Sequence, residues 1–390
     1  MTVENFPVVI KQFVMGGLEQ VFPESWLPFL SALLTIAPIL MVFPLLFALT
    51  TVFERKGLAR IQNRYGPNRV GPCGFGQFIV DGIKSLTKED IVPRSADKLL
   101  HFLAPVTLFI PILLTFTVLP FGRELVPVNM ENGLLFFFAI GASSELSIFM
   151  AGWSSRNKYS LIGAMRAIAQ MISYEMPFIL SSLVVVMAVG SLSLVDIATA
   201  QSGALWNWHV FTPWGALGTV LFFIAALAEA NRSPFDLPEG ESELVAGYFT
   251  EYSGFKFAIF FMAEYLGLFA ALSVWITLFL GGWNGPFGEY SFLPSWMWFM
   301  GKLLLCIFLI IWIRGTMPRM RIDQLMNFAW KFMLPMCLLN LLVAGLCHYV
   351  ANWWLEWMIF GTALLWVWIV LGEGIAGKGL TQKRVYRYAE

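Results

Sequence analysis

Residues 27–53 read LPFLSALLTIAPILMVFPLLFALTTVF, and the next nineteen, 54–72, read ERKGLARIQNRYGPNRVGP. The first stretch carries no charge, and at ~1.5 Å per residue it is long enough as a helix to cross a hydrocarbon layer of ~30 Å. The second is strongly basic and broken by Gly and Pro. That junction decides the fold: a membrane-crossing helix that ends abruptly in a charged segment. The pattern repeats, giving nine candidate spans at 27–53, 99–119, 133–152, 169–190, 213–229, 255–280, 296–313, 333–350 and 353–371. Only Ala351 and Asn352 separate the last two, which leaves open a hairpin or one long broken element. Prolines 38, 44, 105, 111, 177 and 335 fall inside these runs and predict kinks that neighbouring helices must accommodate.

Composition agrees. The chain of 390 residues is 58% hydrophobic and only 13% charged, with a mean hydropathy of +0.71, where soluble domains carry ~25% charge. Period-2 alternation is absent, so helices and not a barrel satisfy the backbone in lipid. The expected class is an all-α polytopic membrane protein with about nine spans, an interfacial amphipathic helix and large inner loops. It divides into an outer N-terminal segment 1–26, a single transmembrane domain 27–371 whose inner loops are 54–98 and 230–254, and a basic tail 372–390. Residues 1–25 hold Glu4, Glu19 and Glu24 against Lys11, which is not a signal-peptide pattern.

Lysines and arginines set the orientation. With nine spans, 22 of the 25 bases fall after odd-numbered spans, and only Lys11, Arg123 and Lys302 lie on the other side. The N-terminus is therefore expected outside and the C-terminus on the cytoplasmic or matrix side. Lys302, near the outer face, is expected to snorkel, and Glu356 to reach headgroups. The formal net charge is zero, so no global field points to nucleic acid.

Four cysteines (73, 306, 337 and 347) and three histidines (101, 209 and 348) are scattered without metal-ligand spacing. Packing is the expected role for most of them, and no redox centre of the chain's own is indicated.

Two polar segments carry the rest. In the loop 54–98, Phe75, Phe78, Ile79, Ile83 and Leu86 recur at helical spacing with Gln77, Asp81, Lys84 and Lys88 between them, the pattern of a helix lying at the interface. Two readings stand: a headgroup anchor, or one wall of a lateral opening into the bilayer. Residues 229–251 hold Glu229, Asp236, Glu239, Glu241, Glu243 and Glu251 against the single base Arg232. Inside neighbouring spans, Glu145 lies about seven residues from the inner end, Glu175 about six and Glu264 about nine, depths of roughly 9–14 Å. Intramembrane acids face the bundle interior or a wet cavity. With Glu229, which closes its own span on the same side, four acids at similar depth predict either a row that passes and stores protons or acids that each pair separately and only stabilise packing. Arg314, Arg319, Arg321 and Asp323 form an inner cluster that composition alone reads as an anchor.

These residues carry a resemblance. Glu54 to Pro72, Lys88-Glu89-Asp90 with Pro93 and Ala96-Asp97, Ala228-Glu229 through Val245, Glu251-Tyr252, Phe261 to Tyr265, and Arg314-Gly315-Thr316 through Lys331 resemble the quinone-chamber membrane subunit family of respiratory NADH:quinone oxidoreductase, complex I. Bacterial members carry the letter H and mitochondrial ones the number 1. The likeness spans roughly residues 30–332. It implies tilted helices whose inner loops close a narrow chamber, with quinone as substrate entering near the first and sixth spans and the surface helix. It implies no covalently bound cofactor. NADH, FMN and iron–sulfur clusters would be handled by partner subunits, with peripheral-arm subunits carrying the terminal cluster and small and antiporter-like subunits beside this one in the bilayer. It implies that Glu54, Arg55, Arg64, Arg69, Asp81, Phe235 and Asp236 border the chamber and portal, that Glu145, Glu175, Glu229, Glu241, Glu243 and Glu264 relay protons, and that Arg314, Arg319 and Arg321 balance charge. Family members commonly have eight spans, so 353–371 reads as an addition, and 191–212 is longer than usual. The nearest alternative is the homologous subunit of an energy-converting hydrogenase or related dehydrogenase. A stand-alone transporter would show inverted repeats and midplane sites, which this sequence lacks.

Overall fold

The computed structural model describes residues 6–19, 23–237, 246–288, 293–350 and 352–378. The described residues are helical with no strand. In chain order the helices are α1 Phe6–Glu19, α2 Leu27–Ile61, α3 Gln77–Thr87, α4 Lys98–Thr115, α5 Gly133–Gly141, α6 Ser143–Ser154, α7 Lys158–Val189, α8 Leu194–Ala200, α9 Pro213–Glu229, α10 Gly254–Phe279, α11 Ser295–Thr316, α12 Ile322–Phe328, α13 Leu334–His348 and α14 Trp353–Lys378. A π-helical turn, Ala329–Met333, joins α12 to α13, so the three form one element.

Seven helical elements among the described residues are long and apolar enough to cross a bilayer: α2, α4, α5 with α6, α7, α10, α11 and the α12–α13 unit. The expected nine rest on two further helices, α9 with its 17 residues and the terminal α14. The protein is a multi-pass all-α membrane protein. α10 is its centre: 61% of its apolar window is buried, against 6% for that of Glu24–Ile61. Around α10 stand α4, α9, α11 and α2, while α7 packs on α6, α9 and α13.

Several helices run past the expected spans. α2 continues unbroken to Ile61 and carries Glu54, Arg55 and Arg60, which fall in the expected inner loop, on helix. The helix that holds the span expected at 169–190 begins at Lys158, and the one that holds 333–350 begins at Ile322. A helix needs no apolar residues once it leaves lipid, so hydropathy finds the membrane crossing and not the helix end. Asn157 and Asp97 cap the starts of α7 and α4, their side chains accepting from Tyr159 N–H and from Leu99 and Leu100 N–H. Hydroxyls return to helix carbonyls throughout, as at Thr50 to Leu46 (2.7 Å) and Ser173 to Ala169 (2.7 Å).

Close approaches need small residues. At Gly152 on α6, a Cβ would lie 2.3 Å from Ala164 Cβ on α7. In the turn after α2, Gly74 has φ +78°, and a Cβ there would meet the Pro67 carbonyl oxygen at 2.1 Å.

Lys302 does not snorkel. Its ammonium turns inward and donates to the Leu280, Gly282 and Asn284 carbonyls at 2.5, 2.9 and 2.7 Å, 4.0 Å from the centroid of Trp208. Gln201 Nε2 donates to the Thr277 and Leu278 carbonyls (2.8 and 3.2 Å), and His209 Nδ1 donates to Leu278 (2.8 Å). The C-terminal carbonyls of α10 are thus closed by side chains from three other segments.

Gly152→Leu is expected to cost about 1–3 kcal/mol by overpacking the α6–α7 contact. Thermal unfolding of the detergent-solubilised protein measures it, with a lower midpoint than wild type as the expected result.

Candidate functional site

Helix periodicity sends successive side chains ~100° apart, and at the end of α2 this sends Glu54 inward and Arg55 outward. Glu54 is 7% exposed. Its carboxyl accepts from the Tyr265 hydroxyl of α10 and from the Arg314 guanidinium of the last turn of α11. Three helices converge on one carboxyl. Arg55 bonds Asp81 of α3 at 2.6 Å, and Gln77 donates to the same carboxyl at 2.9 Å. Lys56 reaches the Cys73 carbonyl and stands 4.0 Å from the Phe75 ring centroid, and Phe53 packs edge-on to Phe75 at 5.7 Å. The surface helix α3 is thereby pinned against α2, with Ile79, Val80, Ile83 and Leu86 exposed.

The turn after α9 completes the cluster. Arg232, 4% exposed, stacks its guanidinium 3.8 Å from the Tyr265 ring centroid and approaches Glu264 at 3.8 Å. Asp236, in the same segment, bonds Arg319 at 2.9 Å, and Met320 N–H donates to the Pro234 carbonyl at 3.1 Å. Phe235 is buried against Tyr174, with ring centroids 5.6 Å apart.

Behind Glu264 lies a cavity of about 100 Å³ between α4, α5–α6, α7, α9 and α10. Its polar wall holds Glu175, Glu229, Glu264, Asn231, Ser144 and Thr115, and its apolar wall Phe137, Phe138 and Phe178 among others. At ~10–15 Å³ of such volume per water, it has room for a short hydrogen-bonded chain. Glu229 lies within electrostatic reach of Glu145 and Glu175. Glu145 Oε1 and Glu229 Oε2 are buried with no hydrogen-bond partner among the described residues. Gly141 and Ala142, where α5 breaks into α6, also line the cavity, so Glu145 sits in the first turn beyond a helix break.

The structure thus draws two groups together: Glu54, Tyr265, Arg314, Arg232 and Glu264 at the loop side, and Glu264, Glu175 and Glu229 at the cavity, with Glu264 in both. Arg64 Nε donates to Gln62 (2.8 Å), two residues away in the same turn, and Arg64, Arg69 and Arg321 are exposed. Glu241 and Glu243 lie outside the described residues. Glu251 accepts from Asn157 (2.7 Å), and Tyr252 stacks on His101 with ring centroids 4.0 Å apart. Burial pushes the Tyr252 phenol up to about 12, so it stays neutral. Among the described residues no three His, Cys, Asp or Glu side chains gather as metal ligands.

Tyr265 and Arg232 have no individual role in the reading of the sequence. Each carries a signal there all the same: a tyrosine beside an intramembrane acid, and a lone base in an acidic segment.

Comparison with known proteins places this arrangement. The model of the NADH dehydrogenase family matches residues 34–345. The H subunit of NADH-quinone oxidoreductase from Carboxydothermus hydrogenoformans is 49% identical over 299 residues, covering 76% of this chain and 83% of the relative. The corresponding protein of Dehalococcoides mccartyi strain 195 is 46% identical over 83% of this chain and 87% of its own length. An H subunit of the same enzyme from Geobacter metallireducens, numbered 1 in that organism, is 46% identical over 80% and 94%. The chain belongs to the NADH dehydrogenase family.

Removing one partner from a largely buried pair leaves the other unsatisfied, a loss of about 1–3 kcal/mol. Arg314→Met is expected to destabilise the assembled complex by that amount, and adding Glu54→Gln to restore part of it. Thermal dissociation of the single and double variants reads this, with non-additive costs as the expected outcome.

Proposed function

We propose that this chain is the quinone-binding membrane subunit of a proton-translocating NADH:quinone oxidoreductase. It forms the portal and chamber wall for the quinone, and it couples quinone reduction to proton movement through buried carboxyls. The observation that carries this reading is the shared position of Glu264, which faces Arg232 and the Glu54 cluster on one side and the Glu175–Glu229 cavity on the other. A change of charge at the loop side therefore has a short physical route to the acids between the helices.

The portal would lie where α2 and α3 meet. Exposed apolar residues of α3 face lipid, while the Arg55–Asp81 pair fixes the polar edge behind them. A quinone has the matching chemistry, an isoprenoid tail for the apolar flank and a headgroup for the polar one. Arg64 and Arg69, exposed in the turn beyond α2, would border the chamber in contact with peripheral-arm subunits. Arg314 and Arg319 would balance the charge of Glu54 and Asp236, with Arg321 nearby.

The relay follows from the cavity. Carboxyls within reach of one another in a low-dielectric space do not all ionise together, so the group holds protons and releases them when a neighbouring charge changes. An electron-accepting quinone supplies such a change. Glu264 would take the signal, Glu229 and Glu175 would exchange protons across the cavity, and Glu145 would continue the path toward the antiporter-like subunits; Glu241 and Glu243 would extend it at the loop. The electrons come from partner subunits holding NADH, FMN and iron–sulfur clusters. The chain would sit in a bacterial inner membrane with its C-terminus in the cytoplasm.

The hydrogenase-type alternative shares the architecture. The names of the relatives above favour the quinone enzyme, and a neighbouring gene for a flavin-bearing NADH-oxidising subunit separates the two.

Replacing Glu229 with Gln keeps the shape and removes the titrating group. The expected result is normal assembly with coupled NADH:quinone reductase activity lower by roughly tenfold or more, in line with losing a positioned proton-transfer group. Proton uptake and NADH oxidation in the same vesicles measure it. Full activity and full pumping would end the relay reading.

A further inference from the structure

Gln170 sits at the middle of α7, 1% exposed, in a helix that also carries Glu175. Its single amide nitrogen donates twice, to the Ala228 carbonyl at 2.7 Å and to the Phe235 carbonyl at 2.8 Å. The two acceptors are the two ends of one short segment. Between them lie Glu229 of the cavity, Asn231 at φ +49°, and Arg232 against Tyr265 and Glu264. Ala228 is one residue before Glu229, and Phe235 is one before Asp236, which holds Arg319.

The amide has two hydrogens, and both are used. Its oxygen is buried with no hydrogen-bond partner among the described residues. A side chain kept in an apolar interior with its oxygen unmatched costs free energy, so the donating half must offset it. Tyr174, one turn along the same face, lies against Phe235 and donates to the Leu325 carbonyl at 3.0 Å, which braces the same segment at a second point of α7.

We propose that Gln170 is a positioning residue: it staples both ends of the segment 228–235 to α7 and thereby fixes where Arg232 stands relative to Tyr265 and Glu264. The inference rests on the reading of the Arg232–Glu264 contact given under Proposed function. Gln170 touches neither quinone nor a transferred proton. It acts by holding the loop-side and cavity-side groups in one register. Leucine at this position keeps the volume and loses both bonds. Asparagine keeps the amide but withdraws it by one methylene, beyond reach of both carbonyls together.

The test uses the whole complex carrying Gln170→Leu, Gln170→Asn, Arg232→Met and Gln170→Leu with Arg232→Met. Hydrogen exchange of the peptide 227–237 is measured beside kcat and KM for quinone. The expected result is assembled complex with faster exchange in 227–237 and kcat/KM for quinone lower by roughly tenfold, the scale of a site displaced by a fraction of an ångström. The double variant is expected to fall within about twofold of Arg232→Met alone, because the staple acts through that arginine. Unchanged exchange, or losses that multiply in the double variant, overturns the proposal. So does failure of both Gln170 variants to assemble, since the residue is then a packing element. If Glu229→Gln keeps full pumping while the exchange and non-additivity results hold, the staple stands and the relay falls.

Discussion

The carboxyl of Glu54 is the constraint on which the half of the molecule around the charged end of α2 depends. A carboxyl buried among helices is tolerable only where donors surround it, and here the donors come from α10 and α11. That requirement fixes the ends of three helices relative to one another. It also explains why α2, whose apolar stretch is almost wholly exposed to the surroundings, has a fixed place at its charged end. The turn after α9 then adds Arg232 over the same tyrosine, so four segments meet at one small polar knot in an apolar bundle.

The knot and the cavity are built by different means. At the knot, charges are matched by opposite charges at short range: Glu54 with Arg314, Asp236 with Arg319, Asp81 with Arg55. At the cavity, acids face acids and apolar walls. The first arrangement holds geometry, and the second leaves carboxyls without opposite charges beside them. Glu264 belongs to both, and the proposed coupling depends on that shared place.

Much of this was legible in the sequence, and the gaps have physical causes. The spans were legible because lipid demands long apolar runs, and α3 because its apolar residues recur at helical spacing. The ends of α2 and α7 were not, since a helix outside the membrane is free to be polar. The count of nine spans rests on hydropathy alone; among the described residues seven elements meet length and apolarity together. The buried acids were conspicuous because charge in a span is rare, but their grouping around one cavity depends on helix rotation, which one sequence does not encode locally. Gln170 had no such flag, and Tyr265 had only its place beside Glu264. Neutral side chains in apolar runs look like packing until their hydrogen-bond partners, from segments far away in the chain, are seen.

The far end of α10 has a different character. There Lys302, Gln201 and His209 close the terminal carbonyls with direct bonds from three separate segments. The central helix is therefore anchored like a post in its footing at one end, while Glu264 and Tyr265, farther along it, stand among the buried charges. Any tilt that keeps those bonds has to turn about the foot, so the displacement it produces grows along the helix toward that acid and that tyrosine and is smallest at the footed end.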